Sequence, residues 1–267
     1  AVRQRWNELI TGDKQTIYPD YVVQKWLSTQ SNLKLLSIGC GTGQRELEFA
    51  KHSCFTQIDA FDIAPKAIKD AQKSAAERNI TNCHFFVGDV YQDHWPNEHY
   101  DVVLFHSSLH HFKQVNALLQ KVKHTLKPGG IIIINEYVGA NRFQFSSTRK
   151  IKVNNIYKTQ VPSNFKTRKN TSLVKDTVYF PGLLRMVISD PSEAIESASI
   201  LPFLQQNFMQ LEQKNYGGNL LTFILKDIAH HFNSPQAQPV LQNLFALEDE
   251  LLQQEQQSDF VFAVYQK

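Results

Sequence analysis

Sulfur is scarce in this chain: 267 residues hold three cysteines and two methionines. Cys40, Cys54 and Cys83 are odd in number, and no two stand at C-x-x-C spacing. A disulfide framework is therefore not expected, and the three look like reduced, mostly buried thiols of a cytoplasmic protein. Cysteines and histidines do not cluster at ligand spacing, so no metal site is expected either. Long apolar runs are also missing. None reaches the roughly eighteen residues that a membrane helix needs, so no transmembrane segment is expected. The opening residues, Ala1-Val2-Arg3-Gln4-Arg5-Trp6, are too polar for the apolar part of a signal peptide.

Charge of one sign is not in excess overall, since 28 basic and 25 acidic residues leave a net +3. Its distribution is uneven. Between Arg142 and Arg185 stand ten basic residues (Arg142, Arg149, Lys150, Lys152, Lys158, Lys166, Arg168, Lys169, Lys175, Arg185) against one acid, Asp176. Two readings stay open: the solvated face of a polar insertion, or a surface for an anionic partner such as a carrier protein. Nucleic acid is the least favoured partner. Phe143, Phe145, Tyr157 and Phe165 interleave the cations, but no recognisable nucleic-acid module accompanies them.

What the chain does have is the stretch Leu35-Leu36-Ser37-Ile38-Gly39-Cys40-Gly41-Thr42-Gly43, followed by helix-forming Gln44–Ala50. A buried parallel strand that turns sharply into a helix needs glycine at the bend and wherever a ligand approaches the backbone. The new helix offers unpaired N–H groups and a partial positive charge. Asp62 ends a second strand nineteen residues past Gly43, close to the spacing of about twenty at which nucleotide-binding folds place a ribose-binding acid. Further strands are expected at His84–Val87, before Gly88-Asp89-Val90, at Asp101–Phe105, before His106, and at Ile131–Asn135, before Glu136. Polar residues gather where the strands finish, which is where ligands bind in open α/β sheets.

The segments SIGCGTG, FDIAPKAI, FFVGDV, YDVVLFHSSLHHF and LKPGGIIIINE, in that order, resemble the class I S-adenosylmethionine (SAM)-dependent methyltransferase family of the small-molecule type. They cover about Leu33 to Glu136. One departure is visible: the family often carries an acid at the position of Ser37, near the amino group of SAM. The resemblance implies a Rossmann-like, doubly wound seven-stranded sheet, mostly parallel with the last strand antiparallel. It implies that Ser37, Gly39, Cys40, Gly41 and Gly43 line the methionine part of SAM. Asp62 would take the ribose hydroxyls and Ile63 would pack on the adenine. Gly88, Asp89 and Val90 would hold the adenine edge, with Phe105 and His106 beside the sulfonium. S-adenosylhomocysteine would be the product.

Alternation of strands with helices at Pro65–Asn79 and Val115–Leu126 implies a parallel sheet with right-handed crossovers. The expected layout is an N-terminal helical segment (1–32), a SAM-binding core (33–138), a lid insertion shaping the acceptor pocket (139–208), and the final strands with a helical insertion (209–267). Trp6–Ser28 would be the N-terminal helical stretch, with Arg5, Trp6 or Tyr18 as possible contacts at the cleft. Met209–Tyr216 suits strand six and Asp259–Tyr265 the last strand. Asp190-Pro191-Ser192-Glu193 looks like a helix start, with Glu193 bonding back.

Transfer from a sulfonium needs the acceptor in line at about 3 Å, and sometimes a base. The base candidates are His106, His110 with its neighbour His111, and Glu136. The expected activity is methyl transfer to a small molecule, with oxygen leading over nitrogen and carbon. The rivals are a SAM-binding scaffold without transfer, and a nicotinamide oxidoreductase, whose G-x-G-x-x-G spacing differs from the G-x-G-x-G present here. Asp62→Ala is expected to weaken SAM binding by about 1–3 kcal/mol, because two hydroxyls lose a charged acceptor. An unchanged Kd by titration calorimetry in a folded variant would place the ribose site elsewhere.

Overall fold

The computed structural model describes residues 1–267. Its centre is one sheet of seven strands: β1 (Leu33–Ile38), β2 (Phe55–Asp62), β3 (Cys83–Val87), β4 (Tyr100–His106), β5 (Leu126–Tyr137), β6 (Met209–Gly217) and β7 (Phe260–Gln266). They lie in the order β3-β2-β1-β4-β5-β7-β6. The pairings among β1 to β5 are parallel, and β7 runs antiparallel between β5 and β6. Apolar strands such as Ile131–Ile134 are buried on both faces, as a parallel sheet covered by helices requires. Successive residues serve opposite layers: Leu35, Val102 and Ile133 join the core on one face, Leu36, Val103 and Ile132 that on the other.

β5 begins earlier than expected, because Lys127-Pro128-Gly129-Gly130 is drawn into the strand. The crossover helices Pro65–Glu77 and Val115–Thr125 pack on the sheet through Ile68, Ala71, Leu118, Leu119 and Val122. Chain order reverses across the β1–β4 pair, so the loops after these strands part and leave a crevice between them. The single N-terminal helical stretch expected at Trp6–Ser28 is in fact three pieces: Val2–Thr11, Tyr18–Val22 and a π-helical turn, Val23–Leu27. Gly12, at φ 87°, ends the first, and Asp13 ties the following turn by accepting from the Thr16 N–H at 2.7 Å.

The chain between β5 and β6 and the chain between β6 and β7 share a core. Val153 and Tyr157, from the helix Ser147–Gln160, pack with Leu221, Ile224, Leu241 and Leu244 from the later segment. A helix does not begin at Asp190-Pro191-Ser192-Glu193. Asp190 accepts from the backbone N–H (2.9 Å) and hydroxyl (2.7 Å) of Ser192, closing a turn on itself. Glu193 faces other elements, and the next α-helix is Ile200–Asn207.

The basic segment is less of a surface than its composition suggests. Lys175 is only 3% exposed. Its ammonium donates to the carbonyls of Phe223 (2.8 Å), Ile224 (2.9 Å) and Lys226 (2.7 Å), closing the C-terminal end of the helix Leu221–Leu225. Arg149 grips Asp259 with both terminal nitrogens. Arg142 donates to the Glu193 carbonyl at 3.1 Å, and Arg168 stands 3.8 Å from Asp227. No helix is long and apolar enough to cross a membrane.

Lys175→Met would leave three carbonyls without their donor and is expected to destabilise the fold by about 1–3 kcal/mol. Urea unfolding measures this. An unchanged midpoint would show that the carbonyls find other donors.

Candidate functional site

The glycine loop is positioned by β2: the N–H groups of Gly39 and Cys40 both donate to the Phe61 carbonyl, at 2.9 and 3.0 Å. Its three glycines serve different ends. A Cβ on Gly39 would meet Ser108 Cβ at 2.7 Å, and one on Gly43 would meet the Phe85 ring at 2.4 Å. Both therefore permit close packing. Gly41, at φ +54°, has nothing within 4 Å of where its Cβ would stand. There the backbone is left bare for a ligand.

Gly39, Cys40, Gly41, Asp62, Ile63, Gly88, Asp89, Val90 and His106 come together along one cleft of about 630 Å³. Tyr91, Ser107, Ser108, His111, Phe112 and Lys113 extend it, and Pro191, Ser192 and Ile195, from the chain between β5 and β6, line it as well. Asp62 accepts from the N–H groups of Gly41 and Ala64, each at 2.9 Å, so it holds the loop as well as facing the cleft. Asp89 accepts from the Tyr91 N–H (2.9 Å) and the Gln92 amide (2.8 Å). Ile63 is 72% exposed, an apolar side chain left uncovered at the rim.

Five expected residues do not line this cleft. Gly43 is one, for the packing reason given. Phe105 points into the apolar core and has no exposure, because alternation along β4 turns it away from the opening. Ser37 is buried and donates to Glu46 Oε1 at 2.6 Å. His110 and Glu136 form the layer behind. Glu136 is 0% exposed and accepts from the N–H groups of Ser108 (2.6 Å) and Leu109 (2.8 Å) through one oxygen. Its other oxygen meets His110 Nδ1 at 2.7 Å. A carboxylate so enclosed orients the imidazole and cannot reach an acceptor itself.

The two histidine candidates are tuned in opposite directions. Burial, with the Arg45 cation beside it, pushes His106 down to about 4, and Arg45 Nε donates to its Nε2 at 3.2 Å. His106 is therefore neutral at pH 7 and a weak base. Burial also works against the charged form of His110, but the hydrogen bond to Glu136, its charge and that of Glu193 outweigh it, so His110 is raised above its ordinary value.

Glu193 is the residue that sequence inspection assigned elsewhere. It stands 3.6 Å from His110 Nε2 and 3.9 Å from His111 Nε2, while His111 Nδ1 lies 3.2 Å from Ser192 Oγ. The three side chains bring ligand-capable atoms within 4.8 Å of one another, a grouping that sequence spacing had argued against. Its only signal was the acid in D-P-S-E. Glu46 was missed as well, although an acid in the first turn after a glycine loop, beneath a strand serine, was legible. Of the N-terminal candidates, Tyr18 stacks on His106 at 5.6 Å, and Trp6 packs on Tyr216 and Phe260. Arg5 is held by Asp249 at 2.5 Å, away from the loop.

A profile described as a methyltransferase domain matches residues 29–215. The chain belongs to this methyltransferase family. It is of the SAM-dependent class I type. An uncharacterized methyltransferase of Schizosaccharomyces pombe is 28% identical over 110 residues, 39% of each chain. A malonyl-[acyl-carrier protein] O-methyltransferase of Paenibacillus sp. is 27% identical over 114 residues, 41% of this chain and 40% of that one. The ubiquinone/menaquinone biosynthesis C-methyltransferase UbiE of Cereibacter sphaeroides is 23% identical over 132 residues, 49% and 52% of the two chains. The chain thus matches only about two fifths to one half of the length of these relatives.

Among solved structures, phosphoethanolamine N-methyltransferase 2 of Haemonchus contortus in complex with SAM superposes with a TM-score of 0.58 at 15% identity, over 94% of this chain and 52% of that one. The [4+2]-cyclase SpnF gives 0.54 at 17% identity, over 94% and 79%. At such identities the likeness is one of fold.

The Glu136–His110 pair carries a titration signature. Because His110 is raised in the folded chain, the pair's stabilising contribution is fully present below about pH 6.5, the unfolded histidine value. It is lost as pH rises through the folded value. Glu136→Gln removes the charge and is expected to lower the His110 pKa, read by NMR titration of the imidazole. An unmoved titration would assign the shift to Glu193 instead.

Proposed function

We propose that this methyltransferase carries the methyl group of SAM to an oxygen of a small acceptor bound at the insertion end of the cleft, beside His111, Pro191, Ser192 and Ile195. The observation that carries the reading is one continuous cleft. Two acids and a bare glycine backbone stand at one end, and a carboxylate-oriented imidazole backs the other.

The residues suit the cofactor. Asp62 and Asp89 each keep lone pairs beyond their backbone bonds, for ribose hydroxyls and an amino edge. The exposed Ile63 gives a flat base something apolar to cover, and Gly41 lets the ligand approach the loop. When bound, the sulfonium supplies an electrophilic methyl group. The chain supplies position, a dry cleft and the management of one proton. With Nδ1 held by Glu136, only Nε2 of His110, which stands behind the cleft wall that His111 lines, is left to receive the acceptor's proton. That nitrogen faces Glu193, whose carboxylate stabilises the imidazolium so formed.

An anionic or carrier-borne acceptor is favoured by Lys113, a cation lining the cleft, and by the malonyl-[acyl-carrier protein] O-methyltransferase among the relatives. The basic segment supports it less than its composition implied, since Arg142, Arg149 and Lys175 are engaged within the fold. The same cleft is proposed for a scaffold only if SAM binds and no acceptor is methylated.

Labelled SAM incubated with hydroxyl-bearing and carrier-linked acceptors tests the assignment. His110→Ala is expected to lower turnover about 10²–10⁴-fold with SAM affinity nearly unchanged. Wild-type turnover should climb with pH as His110 loses its proton, above about pH 6.5. Full activity in the variant would remove the base role. Chelation is expected to leave activity intact. Loss on chelation, restored by a divalent ion, would make His110, His111 and Glu193 a metal site.

A further inference from the structure

Two adjacent histidines and a distant glutamate meet at the cleft wall. His110 and His111 end the 3₁₀ turn Leu109–His111. Neighbours on such a turn point about 120° apart, yet these two rings pack at 4.2 Å with 38° between their planes. Both Nε2 atoms approach the Glu193 carboxylate, at 3.6 Å for His110 and 3.9 Å for His111. These distances are too long for hydrogen bonds.

The opposite ring nitrogens are already engaged. Glu136 Oε2 accepts from His110 Nδ1 at 2.7 Å. Ser192 Oγ spends its proton on Asp190 Oδ1 at 2.7 Å, so its lone pair receives the Nδ1–H of His111, 3.2 Å away. Each neutral imidazole therefore keeps its hydrogen on Nδ1 and presents a bare electron pair at Nε2. Metal-binding histidines are oriented in this way, by an outer partner on the other nitrogen. Glu193 is fixed through its backbone. Arg142 Nη1 donates to its carbonyl at 3.1 Å, the Arg142 N–H to that of Ala194 at 2.6 Å, and the Ile195 N–H to that of His110 at 3.1 Å. Two electron pairs and an anion thus converge, and a shared cation satisfies all three.

We propose that His110 Nε2, His111 Nε2 and the Glu193 carboxylate bind a divalent transition-metal ion of the Zn²⁺ class, and that this ion inhibits methyl transfer. Donors held about 2.1 Å from a tetrahedral ion stand about 3.4 Å apart, so the side chains need to close by only about half an ångström. Imidazole nitrogens select such ions over Mg²⁺ and Ca²⁺, which take oxygen donors. His111 lines the cleft, which gives the ion its way in. The inhibition rests on the reading of His110 as the base, because the ion occupies the nitrogen that would receive the acceptor's proton. The site is a brake, and turnover does not require it.

Co²⁺ reports on the intact chain, since its visible absorption follows its coordination. Wild-type protein should bind one Co²⁺ at these residues, displaced by Zn²⁺ and not by excess Mg²⁺. Loss of a ligand should cost more than loss of an outer partner, so His111→Ala should weaken Co²⁺ binding by at least about 100-fold. Undiminished binding in that variant would overturn the site. A second measurement needs no variant: the two held Nδ1–H protons should give exchangeable, hyperfine-shifted proton resonances in the Co²⁺ form. Their absence would overturn the site as well. Zn²⁺ should suppress methyl transfer with a midpoint matching its Kd, and a chelator should restore it. Full turnover with the site filled would overturn the inhibition and take the base role from His110. Wild-type protein that binds no Co²⁺, yet loses turnover in His110→Ala, would end this proposal and leave the base reading intact.

Discussion

The carboxylate of Glu136 is the constraint on which the acceptor side of this molecule depends. It ends a strand inside the sheet, where water cannot reach it, and removing an ion from water costs several kcal/mol unless donors replace the lost hydration. Two backbone N–H groups and an imidazole do so. Because Ser108 and Leu109 supply those N–H groups, the chain leaving β4 must fold back over β5 instead of running out into solvent. That turn sets Ser108 against Gly39, leaves His106 at the cleft edge, and fixes His110 with one nitrogen engaged and one free.

The glycine loop applies the complementary constraint on the cofactor side. Two of its glycines make room for neighbours, Ser108 and Phe85, and the third leaves backbone bare. Asp62 ties that bare segment down from β2 with the same carboxylate that faces the cleft. A residue used twice in this way couples loop shape to ligand binding. Asp62→Ala is thus expected to disturb the loop as well as remove a contact.

Outside the sheet, two stretches far apart in sequence bury their apolar residues in one shared core. The cations within it illustrate how composition can mislead. Lys175 and Arg149 are structural, closing a helix end and pairing with Asp259. Lys158, Lys169 and Arg185 remain exposed for any partner.

Local chemistry settled much of this in advance. Apolar runs of strand length, glycines at alternate positions and acids at the strand ends mark the parallel core and the residues Gly39, Gly41, Asp62 and Asp89, because each signal sits within a few bonds of the turn it controls, whereas Ile63 and Val90 came only from the family resemblance. Family resemblance supplied the antiparallel last strand. Tertiary structure alone decided the rest. Phe105 and His106 are neighbours in sequence, yet strand alternation sends one into the core and the other to the cleft. Ser37 and Glu46 lie on different elements, and only the packing of helix on strand joins their side chains. Glu193 is eighty-three residues from His110 and sits in a turn that resembled a helix start. Its partner is chosen by where the insertion folds back, a long-range contact that no local pattern encodes.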